Sequence, residues 1–370
     1  MRFIVTCKLG LESLVARQLR DMGITTEKTE DARITFTGDY LDMIRALLWL
    51  RTAERVLLVV GEFPAETFDE LFEQTKALDW RPFLDANTTI HVNGKSAKSK
   101  LFSVSDCQRI VKKAIVESLK SSLHRDTIPE GGKEVIVEVG LLRDTATLAL
   151  DCCGAGLSRR GYRTFNVPAP LSETLGAAIV LLSRYRRELP LIDPMCGSGT
   201  MPIEAAMIAA NRAPGIGRSF AAENWRFLDA KLWEQARSDA LDTELRSGNH
   251  ILGSDIDPHC IDLCKIHARK AGVTVRWEVK PLSAFETEEQ RGIIVVNPPY
   301  GERLMTKGEA LNLYRDMRRV FDTVPDWSKN IFTGVEQFER IYGRRADKRR
   351  KLTNGGMQCN LYQYFGERTL

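Results

Sequence analysis

Three short segments, each directly after an apolar run, contain the residue types best suited to chemistry. Residues 193–200 are DPMCGSGT, residues 253–258 are GSDIDP, and residues 297–303 are NPPYGER. The carboxyl ends of parallel strands lie at one edge of a sheet, and ligands of such sheets bind there. If the apolar runs are strands of this kind, the sequence predicts a binding site at their ends.

The glycine-rich segment predicts a strand-to-helix turn that a ligand can approach closely. Gly197 and Gly199 permit positive φ, and Asp193 can orient a cation or an amino group. A dinucleotide site needs a third glycine, where Pro202 stands, and an acid about 20 residues later. Asp255 lies more than twice that distance away, and the Gly-Lys-Ser/Thr of a phosphate loop is missing. The segment favours a nucleoside ligand without phosphates over a purely structural turn.

The second segment offers a carboxylate to a ribose. One carboxylate at a strand end can accept hydrogen bonds from both ribose hydroxyls, and we assign Asp255 to this role. Ile256 can then flank an adenine face. Asp257 followed by Pro258 is typical of an N-cap and the first helical residue, so Asp257 is assigned a structural role.

The third segment offers acceptors for a flat amine. Pro298 and Pro299 stiffen the backbone and contribute no N–H donor, which leaves the Asn297 side-chain oxygen and the Pro298 carbonyl as acceptors. They suit an NH2 group whose nitrogen must be aimed at a methyl carbon, and Tyr300 can stack on the base. Positioning and loss of a proton suffice for such a reaction, without a covalent nucleophile.

The elements around these segments predict a doubly wound, mainly parallel α/β sheet in the back half. Its strands are expected at residues 191–193, 251–255, 275–279 and 293–297, with a helix at 202–210. The first 60 or so residues predict the order βαβαβ, a ferredoxin-like unit. A second unit follows, with helices at 67–76 and 104–119 and strands at 88–92, 134–139 and 147–151.

Basic residues in two regions are candidates for nucleic-acid contact. One group surrounds the start of the long helix: Lys95, Lys98, Ser99, Lys100, Arg109, Lys112 and Lys113. Small residues there let phosphates approach and lysines supply charge; a polar loop beside a solvated helix face is the alternative. The second group lies within residues 344–351, where six basic residues and one acid occur, and includes Arg344, Arg345, Lys348 and Arg349.

Composition narrows the class of protein. The chain has 370 residues, 43% of them hydrophobic, and a net charge of +4, which suits a multidomain globular protein. No long uncharged apolar run and no signal-peptide pattern occur, so we expect a cytoplasmic protein without a membrane partner. The eight cysteines are expected to be free thiols. His259, Cys260, Cys264 and His267 lie close together, but we interpret them as helix residues and expect no metal.

The three segments together resemble class I S-adenosylmethionine-dependent methyltransferases of the amine-modifying N/DPPY type. The front half resembles a ferredoxin-like domain followed by a THUMP domain. The whole chain is similar to THUMP-containing bacterial RNA methyltransferases, in particular to the amino-terminal, guanine-N2-methylating part of the large 23S rRNA methyltransferase. The resemblance implies a ferredoxin-like domain at 1–62, a THUMP domain at 63–155, a linker at 156–170 and a methyltransferase domain at 171–370.

The resemblance also implies roles for individual residues. Asn297, Pro298, Pro299 and Tyr300 would hold the target amine. One departure concerns the acid that often follows the third strand, because Lys280-Pro281-Leu282 stands there and backbone groups near Leu282 would have to serve the adenine. The residues implied at S-adenosylmethionine are Thr174, Asp193, Met195, Cys196, Gly197, Gly199, Asp255, Ile256, Leu282 and Asn297.

The predicted function is methylation of an exocyclic base amine in RNA. Guanine N2 of 23S rRNA is favoured, and a tRNA guanine-N2 methyltransferase is the near alternative. An adenine-N6 methyltransferase acting on DNA or RNA has the same kind of target amine, and the THUMP-like half argues against DNA. A catalytically inactive RNA-binding assembly factor is the alternative from another class.

Overall fold

The computed structural model describes residues 1–163, 171–245, 248, 250–299 and 307–366. The described residues form two seven-stranded sheets, one in the front half and one in the back half. Within the described residues, no helix combines the length and apolar character needed to cross a bilayer.

The front half alternates short helices with the strands of a mixed sheet. Its strand order is β2-β3-β1-β4-β7-β6-β5. The elements are β1 (Arg2–Cys7), α1 (Glu12–Asp21), β2 (Thr26–Glu30), β3 (Arg33–Thr37), α2 (Tyr40–Trp49), β4 (Ala53–Pro64), α3 (Phe68–Ala77), β5 (Thr89–Ala97), α4 (Val104–Leu123), β6 (Glu134–Leu142) and β7 (Thr145–Asp151).

The first unit corrects the predicted element order. It is βαββαβ rather than βαβαβ, because β2 pairs antiparallel with β3 at the edge of the sheet. The β2 sequence, TEKTE, is polar throughout and has no buried residue. A strand that lies at an edge and buries neither face shows no hydrophobic alternation, so periodicity could not reveal it.

A single long strand joins the two front units. β4 pairs with β1 along one side and with β7 along the other. The predicted boundary between residues 62 and 63 therefore lies inside β4, near its end. β5 is also longer than predicted and continues to Ala97, so Lys95 lies in a strand rather than in the loop that follows.

The back half forms the predicted doubly wound sheet. Its strand order is β10-β9-β8-β11-β12-β14-β13, parallel from β10 to β12. The elements are α5 (Glu173–Leu182), β8 (Leu191–Asp193), α6 (Thr200–Ala209), α7 (Ala230–Asp242), β9 (Ile251–Asp255), α8 (Pro258–Ala271), β10 (Arg276–Val279), β11 (Ile293–Val296), α9 (Lys307–Phe321), β12 (Ser328–Thr333), α10 (Phe338–Tyr342), β13 (Lys348–Asn354) and β14 (Met357–Tyr364).

Three strands of this sheet, β12, β13 and β14, were not predicted. β13 and β14 form an antiparallel hairpin, and β14 also pairs antiparallel with β12. β13 contains Lys348–Lys351 of the basic cluster, whose charges conceal its strand character. The fold class predicted from the sequence is confirmed, with the hairpin completing the sheet.

Buried polar contacts fix the front half against the back half. Arg160 is buried; its Nη2 donates to the Arg51 carbonyl at 2.5 Å and its Nε lies 3.4 Å from Glu204 Oε1. Tyr162 donates to the same carboxylate oxygen at 3.1 Å. The described part of the predicted linker, residues 156–163, is therefore anchored between the halves rather than running free over the surface.

Candidate active site

The turn after β8 holds a buried carboxylate at the carboxyl end of the sheet. Asp193 is 1% exposed, and its Oδ1 accepts from the Met195 N–H at 3.2 Å. Its Oδ2 is buried and has no hydrogen-bond partner in the described part of the chain. Burial raises the pKa of the Asp193 carboxyl well above its usual range. A cationic or N–H-bearing group beside Oδ2 would supply the missing interaction.

Two glycines give this turn its shape. Gly197 and Gly199 both have positive φ, +52° and +81°. A Cβ at Gly199 would lie 2.8 Å from the Trp277 ring and 2.9 Å from Cys264 Sγ, whereas one at Gly197 would meet no described atom within 4 Å. The turn therefore packs on α8 and β10 at Gly199 and stays open at Gly197, where a ligand can approach.

Two side chains in the interior of α8 support the turn, a role that was not predicted from the sequence. Cys264 Sγ lies 3.1 Å from the Gly197 carbonyl, and His267 Nδ1 lies 3.1 Å from the Ser198 carbonyl. Cys196 and Cys264 sulfurs are 3.9 Å apart. In the described residues, no cluster of three or more His, Cys, Asp or Glu side chains is arranged to hold a metal. These side chains instead hold the backbone of the turn.

Asp255 connects the second segment to the first. Its Oδ2 accepts from the Gly197 N–H at 2.9 Å and its Oδ1 from the Asp257 N–H at 3.1 Å. Asp257 caps α8 by accepting from the His259 N–H at 2.9 Å, as predicted. Ile256, between the two acids, is 71% exposed. The segment thus presents a fixed carboxylate beside an uncovered apolar side chain.

The third segment lies beside the first. β8 and β11 pair in parallel, with Ile192 opposite Ile294, so Asp193, the last residue of β8, and Asn297, the first residue after β11, lie at neighbouring strand ends. Asn297 Oδ1 is buried without a hydrogen-bond partner in the described chain. The Pro299 carbonyl accepts from the Tyr314 hydroxyl at 3.0 Å. Tyr300 lies outside the described residues.

Tyr314 is a site residue that sequence reasoning missed. It lies on α9, is buried, and its pKa is raised by that burial. By donating to the Pro299 carbonyl, the Tyr314 hydroxyl holds the backbone of the proline pair. The Asn297 side-chain oxygen remains without a hydrogen-bond partner in the described residues. No local pattern links Tyr314 to a motif 15 residues earlier.

The remaining predicted cofactor residues differ in burial and in the contacts that they make. Met195 is half-buried and Cys196 is buried within the turn, and Leu282 is buried in a short 3-10 helix after β10. Thr174 is fully buried, and its hydroxyl donates to Glu54 Oε1 at 2.7 Å. The Thr174 side chain is thus committed to the junction with the front half, and its predicted role at the cofactor is not supported by this contact.

The cations predicted to bind RNA divide into two sets. Four are already engaged: Lys100 pairs with Glu66, Arg109 with Asp106, Lys112 with Glu130 at 2.8 Å, and Lys113 lies over the Phe72 ring at 5.7 Å. Lys95 and Lys98 are exposed. Ser99 is half-buried and accepts from the Asp144 N–H at 3.0 Å, so it shapes the loop.

The cluster at residues 344–351 is mostly exposed. Arg344 lies over the Tyr364 ring at 5.5 Å, and Arg349 lies 3.8 Å from Glu339. Arg345 and Lys348 are exposed. Arg350, by contrast, donates to the Gly10 carbonyl and to Ser13, both at 3.1 Å, so it joins the two halves.

The residues present fit S-adenosylmethionine. An unpartnered buried carboxylate oxygen suits the cationic amino-acid end, a fixed strand-end carboxylate suits a ribose, and an exposed apolar side chain suits an adenine. These features belong to Asp193, Asp255 and Ile256 respectively, around the open Gly197. The fold and this site together define a class I S-adenosylmethionine-dependent methyltransferase.

Comparison with known proteins identifies the family. Residues 160–363 match the family model described as "RMKL-like, methyltransferase domain", residues 2–57 match "RlmL ferredoxin-like domain", and residues 65–151 match "THUMP domain". The chain belongs to this methyltransferase family, and the resemblance seen in the sequence is confirmed.

Individual relatives extend this finding. "Putative RNA methyltransferase YpsC" of Bacillus subtilis is 44% identical over 98% of this chain and 96% of its own length. "Ribosomal RNA large subunit methyltransferase K/L" of Syntrophotalea carbinolica is 34% identical over 98% of this chain, which spans 53% of that relative. The crystal structure of SMU.472 complexed with SAH superposes with a TM-score of 0.94 at 40% identity, covering 100% of this chain and 99% of that one.

Proposed function

We propose that the protein methylates an exocyclic base amine of RNA, specifically guanine N2 of 23S rRNA. The observation that carries this proposal is the pair of buried, unpartnered acceptors at neighbouring strand ends, Asp193 Oδ2 and Asn297 Oδ1. One acceptor suits the cofactor's cationic end, and the other suits an N–H of the target. Their adjacency is what methyl transfer to an amine requires.

The chain's residues position the amine, which is itself the nucleophile, and form no covalent bond with the base. Asn297 Oδ1 accepts one N–H of the target, and the Pro298 carbonyl accepts the other. The Tyr314 hydroxyl donates to the Pro299 carbonyl, one residue after the Pro298 carbonyl, and so holds the backbone next to it. The amine nitrogen then directs its lone pair along the line to the methyl carbon, which S-adenosylmethionine supplies as an electrophile when bound. As the bond from nitrogen to the methyl carbon forms, the bond from that carbon to the cofactor sulfur would break, and the amine proton would pass to water. Tyr300 would stack on the base.

Three lines support RNA as the substrate. The THUMP match covers the part of the front half with exposed lysines. The Bacillus subtilis relative carries an RNA methyltransferase name, and the Syntrophotalea relative is named for the large ribosomal RNA. Because this chain spans about half of the latter, its rRNA substrate is transferred here as part of the proposal.

The test is a methylation assay with radiolabelled S-adenosylmethionine on total RNA and on genomic DNA, followed by mass spectrometry of nucleosides. We expect label in RNA and N2-methylguanosine in the large-subunit rRNA fraction, and loss of that nucleoside in a deletion strain. Label only in DNA would overturn the RNA assignment. N6-methyladenosine or a tRNA-only signal would replace guanine N2 of 23S rRNA while leaving the amine chemistry in place.

A further inference from the structure

The loop between β5 and α4 presents an uncovered aromatic ring. Phe102 is 84% exposed, more than any other large hydrophobic side chain in the described residues. Its neighbour Leu101 is buried, so the chain inserts one apolar residue into the core and directs the next outward. A phenylalanine left in water forgoes the burial that would stabilise the fold, which points to a ligand for the ring.

The loop that carries Phe102 is held in place. Ser96 Oγ donates to the Leu101 carbonyl at 2.6 Å, the Lys100 N–H donates to Asp144 Oδ1 at 2.7 Å, and the Asp144 N–H donates to Ser99 at 3.0 Å. The first bond ties the loop to β5, and the two bonds with Asp144 join it to the turn between β6 and β7. The ring is therefore displayed on a fixed backbone, and little conformational entropy is lost when a ligand binds it.

The charges around the loop indicate the kind of ligand. Lys98 is exposed, and so is Arg143, whose backbone N–H donates to the Ala97 carbonyl at 3.3 Å and which therefore lies beside the loop. Neither side chain has an ion-pair partner in the described part of the chain, whereas Lys100 is neutralised by Glu66. An exposed aromatic ring on a loop with uncompensated cations, on the loop itself and on the adjoining turn, is complementary to a base and its phosphates.

We propose that Phe102 is a stacking platform for an unpaired RNA base, with Lys98 and Arg143 on the adjoining phosphates. The proposal rests on RNA being the substrate, and it adds a single-stranded segment as the element recognised outside the active site. Because the Phe102 ring has no hydrogen-bonding atom, it can stack on any base. A base inside a duplex is already stacked between its neighbours, so the ring favours unpaired bases. An apolar protein partner is disfavoured by the two free cations.

The test compares full-length wild type with Phe102→Ala and Phe102→Trp. Binding is measured by fluorescence anisotropy on a single-stranded RNA of about 12 nucleotides and on the duplex of the same sequence, at low salt. We expect Phe102→Ala to weaken single-strand binding roughly 5- to 100-fold and duplex binding less than about twofold. Phe102→Trp should restore single-strand affinity. Quenching of a 2-aminopurine in the single strand should follow the same order.

The control is Leu241→Ala on α7, which removes another exposed apolar side chain (53%) and should leave both affinities unchanged. Equal single-strand affinity of wild type and Phe102→Ala would overturn the proposal, and is the result expected if a protein covers the ring. Equal losses on single strand and duplex would overturn it too. Methyl transfer to total RNA by the wild type separates the proposals: its absence refutes the RNA substrate, whereas the Phe102 variants test the platform alone.

Discussion

The candidate functional atoms of the two halves differ in burial. At the carboxyl edge of the back sheet, Asp193 and Asn297 each keep an acceptor oxygen buried and unpartnered. On the front half, most of the residues predicted to bind RNA are exposed, and Lys100 and Lys112 already pair with glutamates. A buried acceptor without a partner costs folding energy, so two of them at neighbouring strand ends indicate a ligand. Exposed cations cost little and indicate a partner weakly.

This contrast also orders the expected effects of substitution. A change at a buried acceptor removes an interaction made in a water-excluded site, whereas a change at an exposed cation removes one that salt already screens. Substitutions in the back sheet should therefore change rate or affinity strongly, and those in the front half should change affinity weakly.

The largest effect is expected at the target amine. Asn297→Ala removes the acceptor that aligns the amine nitrogen, and the methyl-transfer rate should fall about 100-fold or more, because misplaced reactants lose the advantage of proximity. The rate is measured in single turnover with saturating cofactor. Asn297→Asp, which keeps an acceptor oxygen at the same place, is the matched control and should retain much more activity than Asn297→Ala. If Asn297→Ala stays within about threefold of wild type, the role given to this amide is wrong.

The second-largest effect is expected at the buried Asp193 carboxylate. Asp193→Asn should weaken S-adenosylmethionine binding roughly 10- to 100-fold, since a hydrogen bond to a charged group contributes about 1.5–3 kcal/mol. Titration calorimetry measures this directly. Wild-type affinity should also rise with pH as the carboxyl ionises. Asp257→Asn, which keeps a good N-cap on α8, is the control and should bind normally. Normal binding by Asp193→Asn would remove Asp193 from the cofactor site.

The same substitution has an opposite effect on stability. The pKa of Asp193 is raised in the folded state, so its contribution to stability is greatest below the unfolded-state pKa and is lost as pH rises through the folded-state pKa. Without cofactor, Asp193→Asn should therefore be more stable than wild type at neutral pH, and the difference should shrink toward about pH 4. Urea denaturation at the two pH values checks this. A destabilised variant at neutral pH would mean that the charge is compensated in the free protein.

A smaller effect is expected at the turn. Gly199→Ala forces a Cβ against Trp277 and Cys264 at a positive φ, and should lower the free energy of unfolding by about 1–3 kcal/mol. Gly217→Ala, where a Cβ meets no described atom within 4 Å and φ is not positive, should change it by less than about 0.5 kcal/mol. Equal stability of the two variants would show that the turn yields easily around Gly199.

The contrast between the sheets also explains what the sequence could predict. β8 and β9 were predicted with the bounds observed, because a buried parallel strand that ends at an acid or a glycine turn leaves a local pattern. β2 and β13 left none, since polar or basic residues dominate both strands and each buries at most one side chain. β14 was missed although it is largely buried. Tyr314 at Pro299 and Glu66 at Lys100 depend on tertiary proximity, which residue spacing does not encode.

The smallest effects are expected at the cations of the front half. Removing an unpaired cation should weaken RNA binding more than removing a paired one. Lys98→Gln removes a cation available to phosphate, so RNA affinity should fall a few-fold at low salt and the slope of log affinity against log salt should flatten by about 0.7–0.9. The double variant Lys112→Gln, Glu130→Gln removes a paired cation at constant net charge and should leave affinity and slope near wild type. Filter binding across a salt series measures both quantities. A flatter slope in the double variant would mean that Lys112 exchanges Glu130 for phosphate on binding, and the division between the two sets of cations would then fail.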